Sequence, residues 1–292
     1  MNIAFVGIGS MGAAMVPHLV EAGHDVAVWN RNRAAAQALS GVTVLDSPAA
    51  AFEREVVLTM LADDAAVRAV VIDSGALAAA RPGCVHVMMA TISIALVHEL
   101  VGLHREAGVG YVAAPVFGVP AAAAQAQLNI LAAGEAQAVD KVRPLLDVLG
   151  RKTWPLGDEP HRANIAKIAG NLMISLAIES MGEASALTES HGLPGADFLA
   201  IITNTIMASP SYQRYGGFIG SRSYEPGFKL TLGLKDVRLA LAAAATTDTQ
   251  LPSAEVVRLR METAVERGMG AKDWSVVAEV ARNPGGSSSK AS

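Results

Sequence analysis

Residues 1–33, MNIAFVGIGSMGAAMVPHLVEAGHDVAVWNRNR, decide the fold. The apolar run Ile3 to Val6 enters Gly7-Ile8-Gly9-Ser10-Met11-Gly12, a helical stretch follows, and a second apolar run, Ala27-Val28-Trp29, ends in Asn30-Arg31-Asn32-Arg33. The order is strand, turn, helix, strand. Gly7 permits the tight turn, Gly9 lets the backbone approach a pyrophosphate, and Gly12 lets the helix pack on the strand, so that the helix N-terminus receives the anion. A glycine-rich turn without a ligand is the plain alternative. The preceding strand, the following helix and the distance to the second strand end argue for a dinucleotide cradle formed by Gly7, Ile8, Gly9, Ser10, Met11 and Gly12.

The end of the second strand distinguishes the dinucleotides. NAD sites usually carry Asp or Glu there, accepting from the ribose 2′-hydroxyl. This chain has Asn30, Arg31 and Arg33 instead, and Asp25 begins the strand rather than ending it. Guanidinium groups fork onto phosphate oxygens, so the expected cofactor is NADP(H), with solvated surface arginines as the plainer account of Arg31 and Arg33.

Two hundred and ninety-two residues hold one large or two ordinary domains, and 51% apolar against 17% charged content supplies a core. A formal charge of -4 gives no electrostatic footprint for nucleic acid or an acidic membrane surface. The single cysteine, Cys84, excludes an internal disulfide framework, and the N-terminus enters a strand without a basic leader, so a cytoplasmic protein is expected. The most apolar long stretch, Ile165 to Met181, contains Lys167, Asn171 and Glu179, and reads as a buried helix rather than a membrane span. No metal site is expected, because the seven histidines lack ligand spacing.

To about residue 155, apolar runs alternate with alanine-rich helical stretches: Glu55 to Leu61, Cys84 to Met88, Gly110 to Ala113, Leu128 to Ala132 and Thr153 to Leu156. This alternation predicts an α/β fold, an N-terminal Rossmann domain with a doubly wound parallel sheet, over residues 1–160. No convincing strand follows Pro160. His161 to Gly192 reads as one long interdomain helix, about 45 Å at 1.5 Å per residue, apolar around much of its circumference and in need of a cover, most economically a second subunit. It opens an all-helical C-terminal domain for substrate and dimerisation over residues 161–282, with breaks at Ser209-Pro210, Gly216-Gly217, Pro226-Gly227 and Pro252. Residues 283–292 are too polar to pack and are expected to be a disordered tail.

Lys167 and Asn171 are four apart on that helix and project from one face. Beside a nicotinamide, Lys167 donates a proton to a carbonyl oxygen as hydride arrives, and Asn171 orients that oxygen. An ordinary polar stripe has the same spacing. At the carboxyl edge of the sheet, Met89-Ala90-Thr91-Ile92-Ser93 offers hydroxyls to cofactor or substrate, with a helix cap as the alternative. The loop Ala114-Pro115-Val116-Phe117-Gly118-Val119-Pro120 lies after another strand. Lys235-Asp236 reaches the site from the helical domain or is a surface ion pair.

Taken in order, these motifs resemble the β-hydroxyacid dehydrogenase family, which includes 3-hydroxyisobutyrate dehydrogenases and glyoxylate or succinic semialdehyde reductases, over residues 1 to about 280. The family's GxGxMG turn is matched at Gly7, Gly9, Met11 and Gly12, its Lys and Asn four apart at Lys167 and Asn171, and its KD motif at Lys235-Asp236. The resemblance implies a Rossmann domain, a helical domain entered through the long helix, a homodimer or higher oligomer, and Lys167 as the proton-transfer residue. Thr91 and Lys235 join the expected cofactor contacts.

Two stretches depart from the family pattern. Ala90-Thr91 stands where the family commonly has Ser-Thr, and Pro115-Val116-Phe117-Gly118-Val119 where it has Pro-Val-Ser-Gly-Gly for a substrate carboxylate. Phe117 adds bulk and removes a hydroxyl, and Val119 replaces a glycine whose backbone approaches an anion closely. With Met88 and Met89 they are expected to form an apolar wall, so the substrate residues are Met89, Phe117, Gly118, Val119, Lys167 and Asn171. That wall points to a bulkier carbonyl compound or an imine. Imine reductases share the architecture but many carry Asp or Tyr where Lys167 stands, which leaves carbonyl reduction first, imine reduction second, and a non-catalytic NADPH-binding module as the remaining reading.

Overall fold

The computed structural model describes residues 1–283 and 285. Nine strands form its sheet: β1 (Asn2–Val6), β2 (Asp25–Trp29), β3 (Thr43–Val44), β4 (Val56–Thr59), β5 (Val85–Met88), β6 (Gly110–Ala113), β7 (Val116–Phe117), β8 (Leu128–Gly134) and β9 (Gly150–Pro155). Between them run α1 (Ser10–Glu21), α2 (Arg33–Gln37), α3 (Pro48–Phe52), α4 (Asp64–Val67), α5 (Ile94–Ala107), α6 (Pro120–Ala123) and α7 (Ala136–Leu149). The spatial order is β3-β2-β1-β4-β5-β6-β8-β7, with β9 beside β8. The first six are mutually parallel.

Strand order reverses at β1, whose neighbours are β2 and β4, and ligands of open α/β sheets bind outside the carboxyl ends at such a switch point. The reason these runs are almost wholly apolar is that both faces of the sheet are covered. Successive side chains alternate between two cores: Ile3, Phe5, Val26, Val28 and Leu58 on one face, and Ala4, Val6, Val57, Leu96 and Leu100 on the other. Beyond β6 the direction reverses, because β8 pairs antiparallel with both β6 and β7, and β9 runs parallel to β8. The last strand begins at Gly150, immediately after α7, three residues before the apolar run that announced it.

The contacts divide into two compact units, Met1–Lys167 and the part from Ile168 onward. The division falls within α8 (His161–Ser190), 30 residues long. After it come α9 (Gly195–Ile202), α10 (Pro210–Ser221), α11 (Leu230–Ala245), α12 (Pro252–Ala264) and α13 (Ala278–Arg282). Among the described residues the second unit contains no strand, only an isolated bridge between Lys229 and Asp273. Its core gathers around the buried Trp274, which meets Tyr215 and Phe228 edge to face.

One expected break is not a break. Gly216-Gly217 lies inside α10, where a Cβ on Gly216 would stand 2.8 Å from Cγ2 of Thr203. The glycine is there for close packing against the end of α9 rather than to stop a helix. Only Asn283 and Gly285 of the expected tail fall within the described residues; the rest of it lies outside them. Among the described residues no helix is long and apolar enough to cross a membrane.

Candidate active site

The glycine turn sits at the carboxyl end of β1, on the switch point. Gly7 takes φ +100, and its N–H donates to the carbonyl of Trp29 at 2.9 Å, continuing the ladder one residue past β1. A Cβ there would lie 2.3 Å from the Met60 carbonyl oxygen, and one on Gly12 would lie 2.2 Å from that of Gly7. Both positions therefore exclude a side chain. Around Gly9 the situation is opposite: an added Cβ meets nothing within 4 Å. Gly9 is also the N-cap of α1 and supplies no side-chain acceptor to its first turn. A backbone closed at Gly7 and Gly12 and open at Gly9, at the mouth of a helix, fits a pyrophosphate.

Asn30 ties this turn to the end of β2. Its Oδ1 accepts from Ile8 N–H at 3.0 Å and its Nδ2 donates to the Asn32 carbonyl at 3.0 Å, while the Asn32 side chain caps α2. Arg31 and Arg33 are exposed at the same edge. Arg33 Nη1 is 2.5 Å from the Asp46 carboxylate, which lies just beyond β3. Asp46 is separated from Arg33 by twelve intervening residues, so the sequence pattern at the end of β2 does not reveal it.

At the end of β5 the expected apolar wall is not found in the methionines. Met88 and Met89 are 0% and 1% exposed and enter opposite cores, Met89 with Val87 and Val112, Met88 with Ala90 and Val57. Strand alternation sends them through the sheet rather than beyond its edge. Thr91 is half-buried, and Ser93 caps α5 through Leu96 N–H at 3.0 Å. The next loop fares differently. Phe117 ends the short β7, Gly118 takes φ +147, and Val119 precedes α6 as its N-cap. Lys167 is 8% exposed, and its Nζ lies 4.5 Å from the centre of the Phe117 ring. The face of an aromatic ring carries negative electrostatic potential, so the residue that removes a family hydroxyl places a cation-holding surface under the lysine.

Within the second unit Asn171, Lys235 and Asp236 form one group. Asn171 Nδ2 donates to Asp236 Oδ2 at 2.5 Å, and Lys235 Nζ pairs with Asp236 Oδ1 at 3.0 Å. Asn171 and Asp236 are buried, 4% and 1% exposed. The carboxylate can only accept, which fixes the amide nitrogen as the end facing it and so sets the direction of Asn171. Ser175 Oγ donates to the Asn171 carbonyl at 3.0 Å, which makes it a helix-face hydroxyl bonded to its own backbone. Of the Lys-Asp dipeptide it is the carboxylate that orients Asn171, a pairing 65 positions apart that the dipeptide does not reveal.

Sequence reasoning also missed a buried relay in the first unit. Thr59 Oγ1 is 2.9 Å from His86 Nε2, His86 Nδ1 is 2.7 Å from His104 Nε2, and His104 Nδ1 is 2.6 Å from the Leu100 carbonyl. The carbonyl accepts, so the network assigns the proton of His104 to Nδ1, that of His86 to Nδ1, and the donor at the far end to Thr59. Burial pushes His86 far below its ordinary value and His104 down to about 4. No spacing rule predicts two histidines meeting from a strand and a helix eighteen residues apart.

Known proteins with this arrangement agree on its kind. Residues 2–157 match the family described as the NAD binding domain of 6-phosphogluconate dehydrogenase, and residues 162–281 the family described as NAD-binding of NADP-dependent 3-hydroxyisobutyrate dehydrogenase. The chain is 38% identical to the uncharacterized oxidoreductase YfjR of Bacillus subtilis over 95% of its own length and 98% of that protein's. It is 30% identical to glyoxylate/succinic semialdehyde reductase 1 of Arabidopsis thaliana, over 97% and 99%. Among solved structures, 3-hydroxyisobutyrate dehydrogenase of Mycobacterium tuberculosis, determined with L-serine, superimposes with a TM-score of 0.85 at 29% identity, covering 96% of this chain and 98% of that one.

Proposed function

The chain belongs to the β-hydroxyacid dehydrogenase family of NAD(P)-dependent oxidoreductases, and from that premise we propose that it reduces a carbonyl compound with NADPH, Lys167 supplying the proton. Bound NADPH supplies the hydride. The carrying observation is Lys167 itself, a buried ammonium held over the Phe117 ring at 4.5 Å. An ammonium at that place donates to the oxygen as negative charge develops on it, and its low exposure keeps water from competing. Asn171 projects from the same face of α8, one turn on, and its orientation by Asp236 supports an orienting role toward the same oxygen. Lys167 and Asn171 thus divide the work into proton transfer and alignment.

Gly7, Gly9 and Gly12 would hold the pyrophosphate, with Ile8, Ser10 and Met11 between them. Asn30 keeps the turn in register with β2. Arg31 and Arg33 support NADP(H) over NAD(H), as groups able to receive a 2′-phosphate at the end of β2. Phe117 and Val119 support a substrate with an apolar body in place of the small carboxylate that a Ser-Gly-Gly loop suits. The exposure of Ile165, Met173 and Leu187 along α8 supports a homodimer or higher oligomer that covers them, which sedimentation would check.

NADPH consumption over a panel of aldehydes, ketones and cyclic imines tests the reading. Turnover of carbonyl compounds is expected, and Lys167→Met should lower kcat by about 10²–10⁴ while leaving NADPH affinity within a few-fold. Turnover confined to cyclic imines would replace carbonyl by imine reduction, and NADPH binding without oxidation across the panel would leave a non-catalytic module. Full carbonyl turnover in Lys167→Met would remove the lysine from the mechanism.

A further inference from the structure

Among the described residues of the first unit, Asn164 is the one side-chain amide that is buried. It is 0% exposed, and neither its Nδ2 nor its Oδ1 has a hydrogen-bond partner within the protein. It lies in the first turns of α8, three residues before Lys167 and seven before Asn171. At 3.6 residues per turn these three side chains fall within about 60° of one another around the helix axis. A buried amide without partners carries a desolvation penalty with nothing to offset it, and an apolar residue of similar size would not. The helix keeps an unpaired donor and an unpaired acceptor, side by side, one turn from the lysine.

We propose that Asn164 holds the carboxamide of the nicotinamide ring, its Oδ1 accepting from the carboxamide NH2 and its Nδ2 donating to the carboxamide oxygen. The inference rests on the reading of this chain as an NADP(H) enzyme with Lys167 at the reacting carbonyl. A primary carboxamide presents an acceptor and a donor together and so pairs with both orphan atoms of Asn164 at once. An ionised substrate carboxylate presents acceptors alone, and would satisfy Nδ2 while setting its charge against Oδ1. The position agrees with the chemistry. The carboxamide is borne by the ring carbon next to the one that carries the hydride, so the residue that grips it belongs close to the residue that protonates the hydride acceptor. Asn164 is then a positioning residue: it sets the rotation of the ring in front of Lys167 and takes no part in proton transfer.

The test compares binding of NADP+ with that of its 3-acetylpyridine analogue, which keeps the carbonyl and lacks the NH2, by calorimetry on the full chain without substrate. The wild type should prefer NADP+ by about 10–100-fold, the scale of one buried polar group left unpaired. Asn164→Leu should bind both within about threefold of each other, and its unliganded melting temperature should rise by roughly 2–6 °C as the unpaired amide is removed. Asn164→Ala provides a second variant with the same binding expectation should leucine not be accommodated. Equal preference for NADP+ in wild type and variants, or none in the wild type, overturns the proposal. A variant that loses stability while keeping the full preference identifies Asn164 as a structural residue and also overturns it. Failure of the wild type to bind NADP+ at all overturns the cofactor reading beneath it, an outcome distinct from the other three.

Discussion

His86 and His104 are neutral in a place where neutrality is enforced from both ends. The Leu100 carbonyl at 2.6 Å requires a proton on His104 Nδ1, and His86 Nδ1 at 2.7 Å requires His104 Nε2 to accept. A second proton on His104 would set two N–H groups head to head inside the core formed by Phe52, Tyr111 and Leu100. Burial holds His104 at about 4 and His86 well below 6.5. Both folded values are depressed, so the unfolded chain binds more protons as pH falls below about 6.5, and the stability these groups contribute above that pH is lost on the way down. Between pH 6.5 and 5 the loss is on the order of 2 kcal/mol for His104, and His86, also lowered by burial, adds to it in the same direction. Glu179, which burial raises to about 7, slopes the other way in an overlapping range, so the quantity to read is a difference. Unfolding by urea, followed at several pH values in wild type and in His86→Leu/His104→Leu, should show the wild type losing at least about 2 kcal/mol more than the variant over that window. Parallel profiles would refute the reasoning and mean that the pair is protonated or hydrated in the folded protein.

Other outcomes follow from the site and the second unit. Asp46→Asn releases Arg33 from an exposed ion pair of the kind worth up to about 1 kcal/mol, so NADPH should bind up to about fivefold more tightly and NADH within twofold of wild type; equal gains for both would separate Arg33 from the 2′-phosphate. Asp236→Asn keeps the shape of the side chain and removes the carboxylate that directs Asn171, so kcat should fall by roughly tenfold with NADPH affinity unchanged, and a change in affinity alone would contradict the orienting role. For Glu179 the folded form binds the proton more tightly than the unfolded one, so stability should decline as pH rises from about 4.5 to 7; Glu179→Gln should flatten that decline, and an unaltered profile would assign it elsewhere.

The fold was legible from the first strand onward because its signals are local. A glycine turn between an apolar run and a helix, repeated strand-helix alternation, and the loss of that alternation after Pro160 each depend on neighbours in the chain, and the observed parallel strands and helical second unit follow them. What escaped depends on distance. The reversal at β8 is decided by pairing with β6 and β7, and the two-residue β7 has no period to read. Asp46 at Arg33, Asp236 at Asn171 and His104 at His86 are pairings of residues 13, 65 and 18 positions apart, which no spacing rule connects. The methionines failed for a more elementary reason. Their type suggested a pliable wall, but their register in β5 and just after it committed them to the two cores.

The long helix shows why periodicity locates a stripe without saying which side of it faces inward. The stretch Ile165 to Met181 is apolar enough to suggest burial, yet Ile165 and Met173 are 40% and 71% exposed, as is Leu187 beyond it at 63%. Besides Ala163, Ile168, Ile178 and Met181, the buried side carries Asn164, Lys167, Asn171, Ser175, Glu179 and Ser185. In an ordinary amphipathic helix the polar residues face water, and burying them instead incurs desolvation at each polar group. Some of that cost is offset locally, as where Ser175 and Ser185 return their hydroxyls to the preceding turn and Glu179 meets Arg260. Asn164 has no such offset. A helix that buries so many polar groups beside Ile168, Ile178 and Met181 while leaving Met173 in solvent is stabilised if something meets both sides. A cofactor and substrate at the buried polar residues and a second subunit over Ile165, Met173 and Leu187 would do so, and substitution of Met173 by a charged residue should then impair assembly while sparing the Lys167 face.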